Sequence, residues 1–254
     1  GTMGDLEGET LFDYILSDGF ITPSTEASAY SEKLALLPHT YQPNDTKRSI
    51  GKTKTLMEYG LPEHGFVFCC FNQTFKILPE VFYCWMRLLK QVPNSILWLL
   101  ECNQWAKANL IREAEARGIN KERLIFAPRV QMTEHMARQS CADLFLDTLP
   151  YNAHTTTSDA LWMGLPVLTC AGDTFASRVA GSLLKADNLE ELITDSLEDY
   201  ENKALVLASK PDELKRIKAK LTKHNSELPL FNTLQFAKDL ESRYQEMWES
   251  YTKS

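Results

Sequence analysis

The sequence predicts an α/β fold built on a parallel sheet with helices on both faces. Three observations carry that expectation. From about Gly65 to Thr169, short apolar runs alternate with longer amphipathic ones, the order of strand–helix–strand units. The first of the short runs is apolar at every position rather than at alternate ones, as a strand covered on both faces is. Hydrophobic residues make up 44% and charged residues 24% of the 254, an ordinary balance for a globular chain of one large domain plus attachments.

Phe66-Val67-Phe68-Cys69-Cys70-Phe71 is too short for a helix and rich in aromatics, so it reads as a buried strand. Pro79 opens a helix to about Leu89, with Phe82, Trp85, Met86 and Leu89 on one face. Pro93-Asn94-Ser95 breaks it, and Ile96-Leu97-Trp98-Leu99-Leu100 is the second strand. A helix from about Ala106 to Arg117 stops at Gly118, a C-cap. Leu124-Ile125-Phe126 is a strand, followed by a helix to about Gln139 with Thr133 as its N-cap. Ala142 to Leu146 and Pro166 to Thr169 are further strands, separated by a loop from Asp147 to His154 and a short helix ending at Gly164.

The flanks differ. Residues 10–40 hold one strand-like piece, Tyr14-Ile15-Leu16, and then a turn-rich stretch through Pro23 and Pro38; residues 41–55 read as a linker. After Ser182 the pattern turns helical, at about 196–208, 212–223 and 233–248. Gly1-Thr2 ahead of Met3 reads as an expression remnant, so residues 1–4 are expected to carry no fold information.

Composition excludes several classes. A formal net charge of −7 argues against a nucleic-acid binder. No apolar run approaches the ~20 residues that span a bilayer, so no membrane association is expected. The six cysteines lie mostly in apolar stretches without a CxxC pair, which fits buried, reduced thiols and a cytoplasmic protein. Gly51-Lys52-Thr53 imitates the tail of a P-loop, but Thr46 stands where its first glycine belongs and no strand precedes it. There is no GxGxxG, no GxSxG, no HExxH and no carboxylate cluster among the five histidines, so no metal is expected.

Three loops after predicted strands could carry chemistry. The richest runs from Asp147 to Trp162 and opens a helix; free N–H groups there, with the hydroxyls of Thr155 and Thr156 beside His154, form an anion site. The competing reading is plain N-capping by one threonine. Asp159, one turn in, would repel phosphate but suit a ribose hydroxyl. The second loop, Phe71-Asn72-Gln73-Thr74-Phe75-Lys76, ends the first strand; Lys76 either balances a leaving diphosphate or is an exposed lysine before a helix. The third, Gln131 to Arg138, puts His135 and Arg138 on one helix face, a spacing commoner on a solvated surface than in a site.

Taken in order, these loops resemble the C-terminal half of the catalytic region of protein O-linked N-acetylglucosamine transferases, a family that includes the plant SPINDLY proteins and bacterial TPR-linked relatives. The resemblance runs from about Asp13 to Trp248. It rests on Phe71-Asn72-Gln73 with Lys76, Val92-Pro93-Asn94-Ser95 with Leu97-Trp98-Leu99-Leu100, Asp147-Thr148, His154-Thr155-Thr156 with Asp159, Gly172 to Ala180, and Leu230-Phe231-Asn232-Thr233.

The resemblance implies a GT-B-type Rossmann-like domain with a parallel sheet flanked by helices, plus C-terminal helices. Residues 5–55 would be a remnant of an N-terminal lobe and linker, 56–228 the nucleotide-sugar-binding domain and 229–254 a helix crossing back. It implies a UDP-sugar donor, no metal, no other cofactor, a protein acceptor, and an N-terminal lobe or TPR region as partner. By position, Lys76 would contact the diphosphate as the catalytic residue, with Gln73 on the diphosphate or sugar side. His154, Thr155 and Thr156 would hold phosphate and sugar, Asp159 the ribose, and the main chain at Val130 with His135 and Arg138 the uracil. One departure is Met132, where N-acetylglucosamine-transferring members carry a lysine. The implied function is the donor-binding part of an inverting glycosyltransferase acting on protein Ser or Thr. Two alternatives stand beside it. One is a non-catalytic nucleotide-sugar-binding module, or a subunit completed by another chain. The other is a sugar-nucleotide epimerase, which would need catalytic acids absent from these loops.

Overall fold

Two parallel strands stand apart from the main sheet: β1 (Tyr14–Asp18) pairs with β2 (Lys33–Leu37), Tyr14 opposite Lys33 and Asp18 opposite Leu37. The computed structural model describes residues 12–223 and 228–253, so the expected remnant at 1–4 lies outside the described residues. Only β1 was expected here. The apolar run Leu34 to Leu37 makes β2, because pairing with β1 lets Ala35 and Leu37 face inward.

The main sheet begins with β3 (Val67–Cys70), buried at all four positions. Then α1 (Pro79–Gln91) starts on its proline and buries Val81, Phe82, Trp85, Met86 and Leu89, spacings of three and four that turn one face to the sheet. After β4 (Ile96–Leu100), α2 (Gln104–Ala116) is capped by Asn103, whose side chain accepts from Ala106 N at 2.8 Å. It ends at Gly118, whose φ of +74° only a residue without Cβ adopts freely. There follow β5 (Leu124–Ala127), α3 (Met132–Gln139), β6 (Leu144–Leu146), α4 (Thr155–Trp162) and β7 (Val167–Cys170).

Helix α3 is capped two residues earlier than expected. Its N-cap is Gln131, with no side-chain bond, so Thr133 is not the cap. Two further elements escaped the sequence patterns: α5 (Val179–Ala186), too short and too apolar to show a stripe, and the two-residue β8 (Ile193–Thr194). The chain closes with α6 (Leu197–Ser209), α7 (Pro211–Lys223) and the long α8 (Thr233–Lys253). Four of the cysteines are buried, whereas Cys102 and Cys141 are half-buried, and all six are free.

The strand order is β5-β4-β3-β6-β7-β8, with every pair parallel. The chain therefore runs outward from β3 to β5, returns past its starting point and continues from β6 on the other side. That reversal opens a crevice between β3 and β6 at their carboxyl ends, the place where doubly wound sheets bind ligands.

The strand pair is tied to this domain by Asp18, buried at 1% exposure. Its carboxylate accepts from the N–H groups of Ile21 and Tyr41 at 2.9 and 3.0 Å and from Ser182 Oγ on α5 at 2.7 Å. Helix α8 runs back over β2, where Tyr244, Met247 and Trp248 face Tyr14 and Lys33. Among the described residues no helix is long and apolar enough to cross a membrane.

Asp187, just past α5, is 3% exposed and among the described residues its Oδ2 finds no partner, so burial lifts its pKa from 3.8 to about 7. A carboxyl whose folded pKa is raised stabilises the fold while protonated and loses that contribution as pH rises from 3.8 through about 7. Asp187→Asn should therefore match the wild type near pH 4 and exceed it above pH 7, by about 4 kcal/mol at most. Urea midpoints at both pH values test this; an equal difference at the two would sink it.

Candidate functional site

The crevice is organised by a carboxylate directly after β6. Asp147, 2% exposed, accepts through Oδ1 from the N–H groups of Thr148 and Ala153 at 2.8 and 2.7 Å and from Asn72 Nδ2 at 3.2 Å. Its Oδ2 accepts from Thr169 Oγ1 on β7 at 2.7 Å. One side chain thus fixes the loops after β3 and β6 against each other and draws residues 147–153 into a closed turn. Burial raises its pKa to about 6, against the pull of those four hydrogen bonds. The scaffold reaches the same point from behind: Trp85 Nε1 donates to Tyr200 Oη, which donates to the Asp147 carbonyl oxygen, at 3.1 and 3.0 Å.

The turn delivers α4 to the crevice by its N-terminus. His154 is the N-cap residue and makes no capping bond, and none of the threonines caps in its place. Thr155 is exposed and Thr156 half-buried, whereas Thr157 is buried and donates its hydroxyl to the Ala153 carbonyl oxygen at 2.9 Å. The plain capping alternative therefore does not describe this helix. Its first N–H groups keep their positive end toward the crevice.

Lys76 and His154 meet there. Lys76 Nζ donates to the Asn152 carbonyl oxygen at 2.9 Å and stands 3.8 Å from the Tyr151 ring centroid, and His154 stacks on that same ring at 5.1 Å. Burial lowers the Lys76 pKa against the opposing charge of Asp147. Burial, and then the Lys76 charge, push His154 down to about 4, so its imidazole is neutral at pH 7. Lys76 is not the exposed lysine of the alternative reading.

On the β5 side, Gln73 turns away from α4. Its Oε1 accepts from Arg129 Nη2 at 3.2 Å and from Cys102 Sγ at 3.4 Å. Val130 is half-buried in the strand-to-helix turn. His135 lies edge-on to Phe71, 5.3 Å between centroids, and burial with the adjacent Arg138 lowers its pKa to about 4.

Arg138 corrects the expectation of a solvated helix face, since it is 2% exposed. It donates to the Pro128 carbonyl oxygen at 2.7 Å, lies 2.6 Å from His135 Nδ1 and stands 5.0 Å from the Phe71 ring centroid. A guanidinium spent inward in this way shapes the turn at Pro128 and orients His135. Met132 is exposed at the mouth.

The stretch expected as a linker closes the remaining side. Gly51 N–H donates to the Thr133 carbonyl oxygen at 2.9 Å, and a Cβ at Gly51 would come within 3.1 Å of that carbonyl, a tight contact that favours glycine. Lys54 pairs with Glu134 on α3, and Arg48 pairs with Asp159 on α4. Between this strap and the two helices lies a cleft of about 760 Å³ whose walls include Tyr41, Arg48, Met132, His154, Thr155 and Asp159.

The structure thus gathers His154, Thr155 and Asp159 into one cleft with Lys76 beside it. Gln73, Val130 and His135 form a second flank. Sequence reasoning missed Asp147, although a polar residue directly after a buried strand is a usable signal. It also missed Tyr151 and Arg48, for which spacing offered none. Among the described residues, no group of three His, Cys, Asp or Glu side chains is placed to hold a metal ion. A helix N-terminus, a half-buried ammonium and a neutral imidazole together suit a diphosphate, with a carboxylate for hydroxyl groups nearby.

The model of glycosyl transferase family 41 matches residues 42–240. A probable UDP-N-acetylglucosamine–peptide N-acetylglucosaminyltransferase SEC of Arabidopsis thaliana is 40% identical over 251 residues, which are 95% of this chain and 25% of that protein. A probable transferase of the same type from Solanum lycopersicum, SPINDLY, is 31% identical over 96% of this chain and 26% of its own length. Among solved structures, a mutant O-GlcNAc transferase of Thermobaculum terrenum superposes with a TM-score of 0.83 at 30% identity, over 95% of this chain and 46% of that one. The chain spans about a quarter of the length of these curated relatives.

Two outcomes are expected. In proton NMR the ring signals of His135 and His154 should titrate with midpoints near 4, and a midpoint above 6 for either would contradict its placement. Asp147→Ala should cost about 3 kcal/mol or more in chemical denaturation, because at least two buried N–H groups lose their acceptor. A loss below 1 kcal/mol would show that the loop holds without it.

Proposed function

This chain belongs to glycosyl transferase family 41, and we propose that it is the donor-binding part of an inverting, UDP-N-acetylglucosamine-dependent glycosyltransferase acting on protein Ser or Thr. The observation that carries the reading is the meeting of Lys76, His154 and the uncapped N-terminus of α4 at the β3/β6 switch point. A diphosphate seated there would accept from the first N–H groups of α4 and from the Lys76 ammonium. Lys76 would exchange its bond to the Asn152 carbonyl oxygen for one to a phosphate oxygen.

In the transfer step the acceptor hydroxyl attacks the anomeric carbon from the side opposite the nucleotide. The bond from that carbon to the β-phosphate oxygen breaks, its electron pair stays on the diphosphate, and the hydroxyl's proton passes to a base outside the residues assigned in this chain. Lys76 and the helix N-terminus stabilise that growing charge, which is where preorganised donors lower a barrier most. His154, neutral at pH 7, hydrogen-bonds phosphate or sugar without adding charge. Its Nε2 lies 3.4 Å from the Ala176 carbonyl oxygen, so a proton there leaves Nδ1 as an acceptor toward the donor.

Asp159 accepts from the ribose, and the turn at Val130, with His135 and the Arg138 that holds it, surrounds the uracil. Gln73 serves the diphosphate or sugar side by leaving Arg129. No metal takes part, the chain is cytoplasmic, the acceptor is a protein, and no residue of this chain is assigned as the acceptor base. The segment 5–55 belongs with an N-terminal lobe, 56–228 is the donor domain and 229–254 crosses back. The remaining length of the relatives would supply the acceptor side.

Calorimetric titration with UDP tests this. Binding should persist unchanged in EDTA, and Lys76→Ala should weaken it on the order of ten- to a hundredfold, the worth of a charge-assisted hydrogen bond. Loss of binding in EDTA, or an unchanged affinity in the variant, would refute the placement of the diphosphate.

A further inference from the structure

The strap holds a cation the reading above does not use. Arg48 is 12% exposed at its side chain, and all three guanidinium nitrogens are engaged. Nε donates to the Asp45 carbonyl oxygen within the strap at 2.9 Å, Nη2 donates to Ser158 Oγ at 2.6 Å, and Nη1 donates to Asp159 Oδ1. The fork therefore straddles two consecutive residues of α4. Ser158 passes the contact on, donating to Asn44 Oδ1 at 2.6 Å, and Asn44 Nδ2 donates to the Leu230 carbonyl oxygen at 3.0 Å. The Arg48 guanidinium carbon also lies 5.8 Å from the ring centroids of both Trp162 and Phe231.

Only one oxygen of Asp159 is spent in this arrangement. Among the described residues Oδ2 has no hydrogen-bonding partner, and Asp159 and Arg48 both line the cleft. A carboxylate held by one oxygen and open at the other is an acceptor aimed by its partner.

We propose that Arg48 is a positioning residue for nucleoside recognition: it holds Asp159 through Oδ1 so that Oδ2 faces the cleft and accepts from the 2′,3′-diol of a nucleoside diphosphate. The inference rests on the ribose assignment above and adds to it the side chain that makes the acceptor effective. Burial raises the Asp159 pKa, and the Arg48 charge opposes that rise. Arginine suits the task and lysine does not, because a planar fork meets two fixed acceptors while an ammonium is a single point charge.

The test titrates UDP and 2′,3′-dideoxyuridine 5′-diphosphate into the full chain and into Arg48→Met and Arg48→Lys. The readout is the ratio of the two affinities, which a general loss of stability does not change. The wild type should prefer UDP on the order of tenfold. In Arg48→Met the ratio should fall to near one, chiefly through weaker UDP binding, and Arg48→Lys should lie between.

A wild-type ratio that survives in Arg48→Met, or tighter UDP binding in that variant, overturns the inference and leaves the ribose assignment standing. A wild-type ratio of one overturns the ribose assignment instead, and the inference with it. Should Arg48→Met not unfold cooperatively in a thermal melt, Arg48→Lys decides: an unchanged ratio there is equally fatal.

Discussion

The geometry of this molecule's functional end depends on the buried carboxylate of Asp147. It lies where β6 ends and the chain must leave the sheet without abandoning its backbone polar groups inside. By accepting from two N–H groups of its own loop, from Asn72 beyond β3 and from Thr169 on β7, it closes that account for three neighbouring strands. The consequence is a short, fixed turn that places Tyr151, Asn152 and His154 in register with Lys76. Were the turn looser, the N-terminus of α4 would still exist, but nothing would hold it opposite the loop from β3.

Around that turn the electrostatics are assembled from small contributions in a chain that is acidic as a whole, at −7. The positive character of the crevice comes from one half-buried lysine, the end of an eight-residue helix and an arginine brought over by the strap. Both histidines at the site are held neutral by burial and by neighbouring cations, so they direct hydrogen bonds without altering the charge. Net charge describes the surface that other macromolecules meet, whereas the crevice is governed by which few groups are desolvated together.

The strap makes the site composite in sequence. Residues 41–55 contain no helix or strand, yet Gly51 bonds α3, Lys54 pairs with α3 and Arg48 grips α4. Asn44 extends the same network to the turn before α8, so the segment ahead of the sheet and the segment behind it meet over the cleft. Its order comes from side-chain and backbone bonds to α3 and α4, contacts that leave no periodic trace.

The sheet and its helices were legible because local chemistry alone specifies them. Continuous apolar runs mark strands buried on both faces, Pro79 and Gly118 bound helices, and polar residues after strands mark the ligand edge. The family resemblance added the ligands those loops would meet, and membership of family 41 agrees with it. Other features were not legible because they are properties of pairs distant in the chain. Strand β2 exists only because β1 lies beside it, and α5 carries no stripe because all its residues but Lys185 are buried. Arg138 reads as a surface residue until Pro128 and His135 turn it inward. Arg48 meets Asp159 across 111 residues. Amino-acid type and spacing thus determined the fold class and which loops face the crevice. The tertiary structure decided which side chains there are free, which are committed to one another and which carry charge, since burial and long-range contact set those properties.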